Sequence, residues 1–307
     1  MNDLNEKKLA SAISSEDALL PFQLEGSGLR GRLVRLGPSV NTMMEQHAYP
    51  APVAKLLAEL TALVGALGTA MKFDGVFTIQ TKTDGAVRMM VADVTSDGAL
   101  RAYAQFDEEA VAARSAASEA LLGRGHLVLT VDQKLGEERY QGVVQIDSDN
   151  LAEAFQLYFR QSEQIPTGLS VAARQDEAGV WHAGCLMIQR MPRGGGHENL
   201  PTDTSIEDDW LRAMALMQTC TAAELTDPAL PLDTLLYRLF HEEGVCAFDR
   251  QSLRHQCRCS REKIAGVLAP MPPKEIAAMV QEDGLITVTC QFCSKEYKFE
   301  KGEITSL

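Results

Sequence analysis

Three features of the sequence predict an α+β fold with a small metal module at its C-terminal end. Extended runs meet in hairpins instead of alternating with helices. One long Ala- and Leu-rich segment has few helix breakers, and four of the seven cysteines fall within residues 257–293. With 307 residues, 45% of them hydrophobic and 23% charged, the chain is globular in composition and longer than one core usually fills. A principal domain with smaller parts attached is therefore expected.

Residues 1–20 read as a polar tail and residues 21–198 as the α+β core domain. Residues 51–71 predict a buried helix. Lys55 and Glu59 leave this segment short of the roughly 20 uninterrupted apolar residues that a bilayer span requires. Extended runs follow at 75–80, 87–94 and 100–104, separated by Asp84-Gly85 and Asp97-Gly98. An Asp-Gly hairpin turn calls for positive φ at both central residues. Helical spacing over 108–122 precedes a hairpin of 126–131 with 140–146 around Leu135-Gly136. A helix over 151–163, capped by Ser148 or Asn150, leads to a last hairpin of 168–173 with 181–189. Gly194-Gly195-Gly196 has neither a following helix nor a Walker Lys-Ser/Thr pair, so it reads as a flexible domain boundary.

Residues 199–250 form an acidic amphipathic linker. Between 201 and 250, ten Asp or Glu stand against three Arg, a net −7 out of −13 for the whole chain. Thr204-x-x-Glu207 and Thr221-x-x-Glu224 both fit the capping box. Trp210, Met214 and Met217 recur at helical spacing, and Leu232, Leu235, Leu236 and Leu239 form a second stripe after Pro228 and Pro231. Short amphipathic helices need a surface to lie on. Either they dock permanently on the core, or their docking is conditional and they form an interaction surface.

Residues 251–307 carry Cys257-Arg258-Cys259 and Cys290-Gln291-Phe292-Cys293, with 30 residues between the pairs. Two close pairs a module's length apart allow four thiolates to reach one tetrahedral ion, at roughly 2.3 Å each. Ile264, Val267 and Leu268 mark a short helix face, and Pro272-Pro273 opens a second helix with Ile276, Met279 and Val280. Alternation over 286–289 and 297–299 places the C-x-x-C in a hairpin turn. So few large apolar groups cannot fold the module unaided, whereas metal binding supplies on the order of 10 kcal/mol. One Zn²⁺ per chain on Cys257, Cys259, Cys290 and Cys293 is the expectation. His255 is a lesser candidate ligand, since four sulfurs already complete the shell. Cys185, in an apolar strand, is expected to be a buried hydrophobe.

Each close pair can also join on oxidation, which would remove the ligands and the energy that folds the module. Two alternatives stay open: a thiol–disulfide oxidoreductase using Cys290 and Cys293, and a constitutive zinc-stabilised interaction protein. Redox enzymes of the thioredoxin type use a single C-x-x-C that opens a helix, which is not the pattern here. Eight Lys or Arg against seven Asp or Glu, plus −2 for a zinc tetrathiolate, give residues 251–307 about −1, so a nucleic-acid ribbon is disfavoured. A total charge of −13 argues against nucleic acid and anionic membrane as partners. Without a visible signal or spanning segment, a cytoplasmic location is expected.

Cys257-Arg-Cys259-Ser-Arg-Glu-Lys263, Cys290-Gln-Phe-Cys293 and Tyr297-Lys-Phe299 resemble the 33 kDa chaperonin family of redox-regulated heat-shock chaperones. The resemblance extends through Lys72-Phe-Asp-Gly75, Arg139-Tyr-Gln-Gly142, Ser162-Glu-Gln-Ile165 and residues 236–243. It implies a cytosolic holdase that is not an enzyme, needs no ATP, responds to oxidative stress and binds unfolding proteins. The four cysteines match the family's zinc ligands position by position, while Cys185, Cys220 and Cys246 fall outside the motif. Cys257–Cys259 and Cys290–Cys293 are the expected disulfides, because neighbours face little loop-closure cost. Trp210, Met214, Met217, Leu235, Leu236 and Leu239 become client-binding candidates, and a homodimer is expected in the oxidised state.

Overall fold

A computed structural model describes residues 17–70, 73–117, 119–133, 139–190 and 203–305. The first sheet is built from β1 (Ala18–Leu24), β2 (Leu29–Leu36), β8 (Thr167–Gln175) and β9 (Trp181–Arg190), with β10 (Val245–Ala247) at its edge, in the order β10-β1-β2-β9-β8. β11 (Gln251–Ser252) also pairs with β1. The second sheet runs β12 (Arg254–His255), β5 (Ala99–Phe106), β4 (Val87–Thr95), β3 (Gly75–Thr83), β6 (Gly125–Gln133), β7 (Tyr140–Ile146). All pairings are antiparallel except that of β12 with β5. The α+β reading with paired hairpins is what the structure shows.

After the short α1 (Pro38–Glu45), α2 (Ala51–Gly68) lies between the sheets, with fourteen of its 18 residues buried. A helix apolar all round has to be covered on every side. Here β2, β8 and β9 cover one side and β3, β4 and β5 the other. By length and hydropathy it is also the one helix among the described residues long enough to cross a bilayer; 78% of that stretch is buried inside the protein. The main core gathers its inward side chains with Val34, Phe77, Ala92, Leu100 and Met187. The outer face of the first sheet carries a second core, in which Leu20, Phe22, Leu33, Leu186 and Ile188 meet the linker helices. These are α5 (Asp203–Gln218), α6 (Ala222–Thr226) and α7 (Leu232–Phe240). Strand β9 is buried on both faces, which explains its continuous apolar sequence.

Several expectations need correction. The tail does not reach residue 20: β1 begins at Ala18, and Leu19 and Leu20 are core residues. The β3–β4 connection lacks positive φ at Asp84 and Gly85. Gly85 is required there because an added Cβ would lie 2.2 Å from the Leu121 carbonyl oxygen. In the β4–β5 turn only Gly98 adopts positive φ, 84°. The helix expected over 108–122 stops early, as α3 (Glu108–Ala116). The Leu121 and Leu122 amides instead donate to the Asp149 carboxylate at 2.8 and 2.7 Å, and Leu121 and Leu122 pack into the core. Asn150, not Ser148, caps α4 (Leu151–Tyr158), which widens into a π-helical turn over Phe159–Glu163. Thr221 and Glu224 form the capping box, whereas α5 already begins at Asp203, so Thr204 lies inside it. Leu135-Gly136 and Gly194-Gly195-Gly196 lie outside the described residues.

The C-terminal module comprises α8 (Arg261–Leu268), α9 (Pro273–Met279), the hairpin β13 (Leu285–Thr289) with β14 (Glu296–Glu300), and α10 (Lys301–Thr305). Its core is small: Ala265, Leu268, Ile276, Ile286, Tyr297, Phe299 and Ile304 are its buried members. Residues 251–255, assigned to this module on sequence grounds, belong to the two large sheets instead.

Candidate metal centre and its surroundings

Each cysteine pair is delivered by a different local device. Cys257 and Cys259 stand in the extended segment between β12 and α8, where the Ser260 hydroxyl caps α8 by accepting from the Lys263 amide at 3.2 Å. Cys290 closes β13; its amide donates to the Lys295 carbonyl at 2.9 Å and its carbonyl accepts from the Ser294 amide at 2.8 Å. Ser294 takes positive φ, 54°, and the resulting tight turn turns Cys293 back toward Cys290. The C-x-x-C therefore occupies a hairpin turn, as its flanking alternation predicted.

All four sulfurs lie within 4.8 Å of one another. Cys257 Sγ is 3.7 Å from Cys290 Sγ, and Cys259 Sγ is 3.4 Å from Cys293 Sγ. Four sulfurs at 2.3 Å from a central ion form a tetrahedron with edges of roughly 3.8 Å, so the arrangement fits a tetrathiolate metal site. Burial opposes ionisation of Cys259, but the Tyr297 hydroxyl, 3.2 Å away, and the neighbouring sulfurs outweigh it and bring this thiol down to about 7. Burial pushes Cys257 and Cys293 up. A cluster that stabilises one thiolate at the expense of the others is completed chemically by a cation. His255 stays out of it: the ring lies 3.4 Å from the Gln46 amide, in β12. Cys185 is fully buried in β9 and its thiol is pushed up by burial, as expected of a structural hydrophobe.

Arg258, between the first two cysteines, and Phe292, between the second two, point the other way, toward the core domain. Arg258 donates from both terminal nitrogens to Asp93 of β4, at 2.7 and 2.9 Å. Arg101 of β5, directly opposite Asp93 in the ladder, donates to the same carboxylate at 2.9 Å. Its guanidinium also sits 3.9 Å from the centre of the Phe292 ring. The Ser294 hydroxyl donates to the Gln46 carbonyl at 2.8 Å. The module thus rests on the outer face of β4 and β5.

The linker candidates are all docked. Met217, Leu235, Leu236 and Leu239 are buried in the second core, and Trp210 and Met214 pack against it half-buried. Polar contacts that the sequence did not reveal hold the linker as well. Arg35 of β2, 8% exposed, donates to the Leu225 carbonyl at 3.2 Å, to the Glu224 carbonyl at 3.1 Å and to the Leu230 carbonyl. Arg174 donates to the Thr226 hydroxyl at 2.7 Å, and Arg190 pairs with Glu207 at 2.7 Å. Cations of the core offset the linker's negative charge.

A two-sheet core, a docked helical linker and a four-cysteine module define a class of protein in which a metal-sized cluster is joined to a large buried apolar surface. The sequence profile of the Hsp33 protein family matches residues 17–300. The 33 kDa chaperonin of Caulobacter vibrioides (strain NA1000 / CB15N) is 40% identical over 293 residues, covering 93% of this chain and 95% of that protein. The 33 kDa chaperonin of Serratia proteamaculans (strain 568) is 34% identical over 295 residues, covering 96% of each. The crystal structure of the 33 kDa chaperonin (heat shock protein 33 homolog) of Thermotoga maritima superposes with a TM-score of 0.78 over 94% of this chain and 97% of that one, at 21% identity. The chain belongs to the Hsp33 family.

Proposed function

We propose that the protein is an ATP-independent holdase, held inactive by a zinc tetrathiolate and switched on by oxidation of its ligands. The observation that carries this reading is the joining of four sulfurs within 4.8 Å to a linker that covers an apolar face. Zinc, when bound by Cys257, Cys259, Cys290 and Cys293, would fix all four as thiolates and supply the folding energy their small module lacks. In the family, relatives carry the name chaperonin, and no reading as an enzyme is needed here.

The chemistry balances with peroxide as oxidant. One thiolate of a pair attacks a peroxide oxygen to give a sulfenic acid and water. The second thiolate displaces that oxygen as a further water and closes the S–S bond, two electrons having passed to the peroxide. Two pairs consume two peroxides and four protons, and a zinc ion held by these four sulfurs would lose its ligands. Within the folded cluster the sulfurs of different pairs lie as close as 3.4 Å, so proximity alone does not select the partners. Once the module loosens, loop-closure entropy does, and it favours neighbours. The proposed location is the cytoplasm, whose reducing pool preserves thiolates until oxidant arrives. The proposed partners are unfolding proteins and, in the oxidised form, a second copy of the chain.

Peptide mapping of peroxide-treated protein, read together with released zinc and suppression of citrate synthase aggregation, tests the reading. Cys257–Cys259 and Cys290–Cys293 disulfides are expected alongside zinc loss and a gain in holding. A dominant Cys259–Cys290 linkage contradicts the assigned pairing. Holding that does not change when zinc leaves contradicts the switch.

A further inference from the structure

The two cysteine pairs do more than converge on one another: each sends one of the side chains between its cysteines, Arg258 or Phe292, to a single place on the core. Arg258 and Phe292 have no reason in metal binding to meet the same strands. Yet Arg258 grips Asp93 with two nitrogens, while Phe292 lies under Arg101, which grips Asp93 as well. Asp93 is the centre of this arrangement. Its side chain is 2% exposed, and those of Arg258 and Arg101 are 22% and 19% exposed. A carboxylate buried to this degree needs a charged partner, and here two guanidiniums share it, Arg101 from within the core and Arg258 from the module.

The position of the contact along the chain gives it a consequence. β12 pairs with Ala99 and Leu100 of β5, and the Gln256 amide continues the ladder by donating to the Leu100 carbonyl at 2.9 Å. The next position on β5 is Arg101, and there the backbone ladder gives way to the side-chain contact with Arg258. Upstream, the same stretch of chain lines the β1 edge through β11 and β10 before it enters the linker helices. These strands are only two or three residues long, too short to hold by themselves.

We propose that Asp93 is a latch that ties the state of the Cys257-Arg258-Cys259 half-site to the docking of the strands that lead back into the linker. This inference rests on the redox-switch reading and specifies how the cluster's state reaches the core. While both sulfurs face the other cysteine pair, Arg258 faces the core and meets Asp93. A Cys257–Cys259 disulfide needs its Cβ atoms about 3.8 Å apart, well inside the roughly 6.6 Å between alternate residues of an extended chain. The backbone at Arg258 has to kink, and the guanidinium leaves the carboxylate. Arg101 then keeps Asp93 paired within the core, so the core stays folded while the module and its leading strands come away.

The test uses reduced, zinc-loaded, full-length protein, with the wild type, R258Q, D93N and the double variant compared by zinc content and hydrogen exchange. R258Q is the cleaner variant because it leaves the Asp93–Arg101 pair inside the core, so the β3 and β4 amides serve as its folding control. With zinc still at one per chain, amides of 245–256 should exchange at least tenfold faster in both single variants. The double variant should be no looser than R258Q, because the two changes remove the same contact. Unchanged exchange at 245–256 in R258Q, or additive loosening in the double variant, overturns the latch. Loss of zinc from R258Q also overturns it, since Arg258 would then serve the metal site itself. None of these outcomes depends on peroxide, so a failure of the redox switch in the wild type is a separate result.

Discussion

Cys259→Ser protein is expected to lose its zinc and to unfold residues 257–305 while the two-sheet core remains folded. Cys259 is the most informative of the four proposed ligands to remove. Its sulfur contacts both the Cys293 sulfur and the Tyr297 hydroxyl, so its loss also frees a buried member of the module's small core. Serine offers no thiolate, and a three-sulfur site binds zinc far more weakly. Metal-derived folding energy on the order of 10 kcal/mol then disappears from a module with few apolar residues to replace it. Zinc content should fall from one per chain toward zero, and the β13 and β14 amides should lose protection while those of β3 and β4 keep it. A variant that still binds stoichiometric zinc with intact β13–β14 protection would show that a different set of residues holds the metal.

Arg35→Met should release the linker without touching the metal. Arg35 is a buried cation donating to carbonyls at the end of α6 and in the loop after it. A hydrogen bond from a charged group contributes roughly 1.5–3 kcal/mol, and carbonyls left facing an apolar side chain cost more. A loss of about 3 kcal/mol shifts the docking equilibrium by roughly a hundredfold. The reduced, zinc-loaded variant should bind an apolar dye and suppress aggregation without peroxide. Methionine retains much of the length and apolar stem, so packing within β2 survives. Unchanged dye binding, with unchanged protection of α6 and α7, would show that apolar contacts alone fix the linker.

What could be read from the sequence was local. Alternation and turn residues placed β3 to β9, because a hairpin needs only neighbours to declare itself. The four cysteines announced their cluster through spacing alone. β1 and β2 are harder to see, because Pro21, Gly31 and three arginines interrupt their apolar pattern. Those interruptions have reasons that only the assembled fold supplies. Arg35 reaches the linker, and a Cβ at Gly31 would lie 2.1 Å from the Phe22 ring. The membership of each hairpin in one sheet or the other is likewise a long-range matter: β8 and β9 return to β2 after five strands have formed the second sheet. Arg258 looked like a spacer between two ligands. Its partner Asp93 is 165 residues away and reads, in isolation, as one polar residue in an apolar strand. The acidic linker gave its amphipathic stripes but not the arginines that receive it, since those sit on strands already accounted for.

Coupling between the cysteine cluster and the linker is measured most directly by hydrogen exchange across residues 205–245. In the reduced, zinc-loaded protein, amides of α5 to α7 should be protected, because their short helices depend on packing against the first sheet. After peroxide and zinc release, they should exchange on the order of a hundredfold faster, while β3 and β4 stay protected and aggregation suppression rises. The contradicting result is equal protection of 205–245 in the two states together with a rise in client holding. The linker would then not be the element that moves, and clients would be held on some other surface.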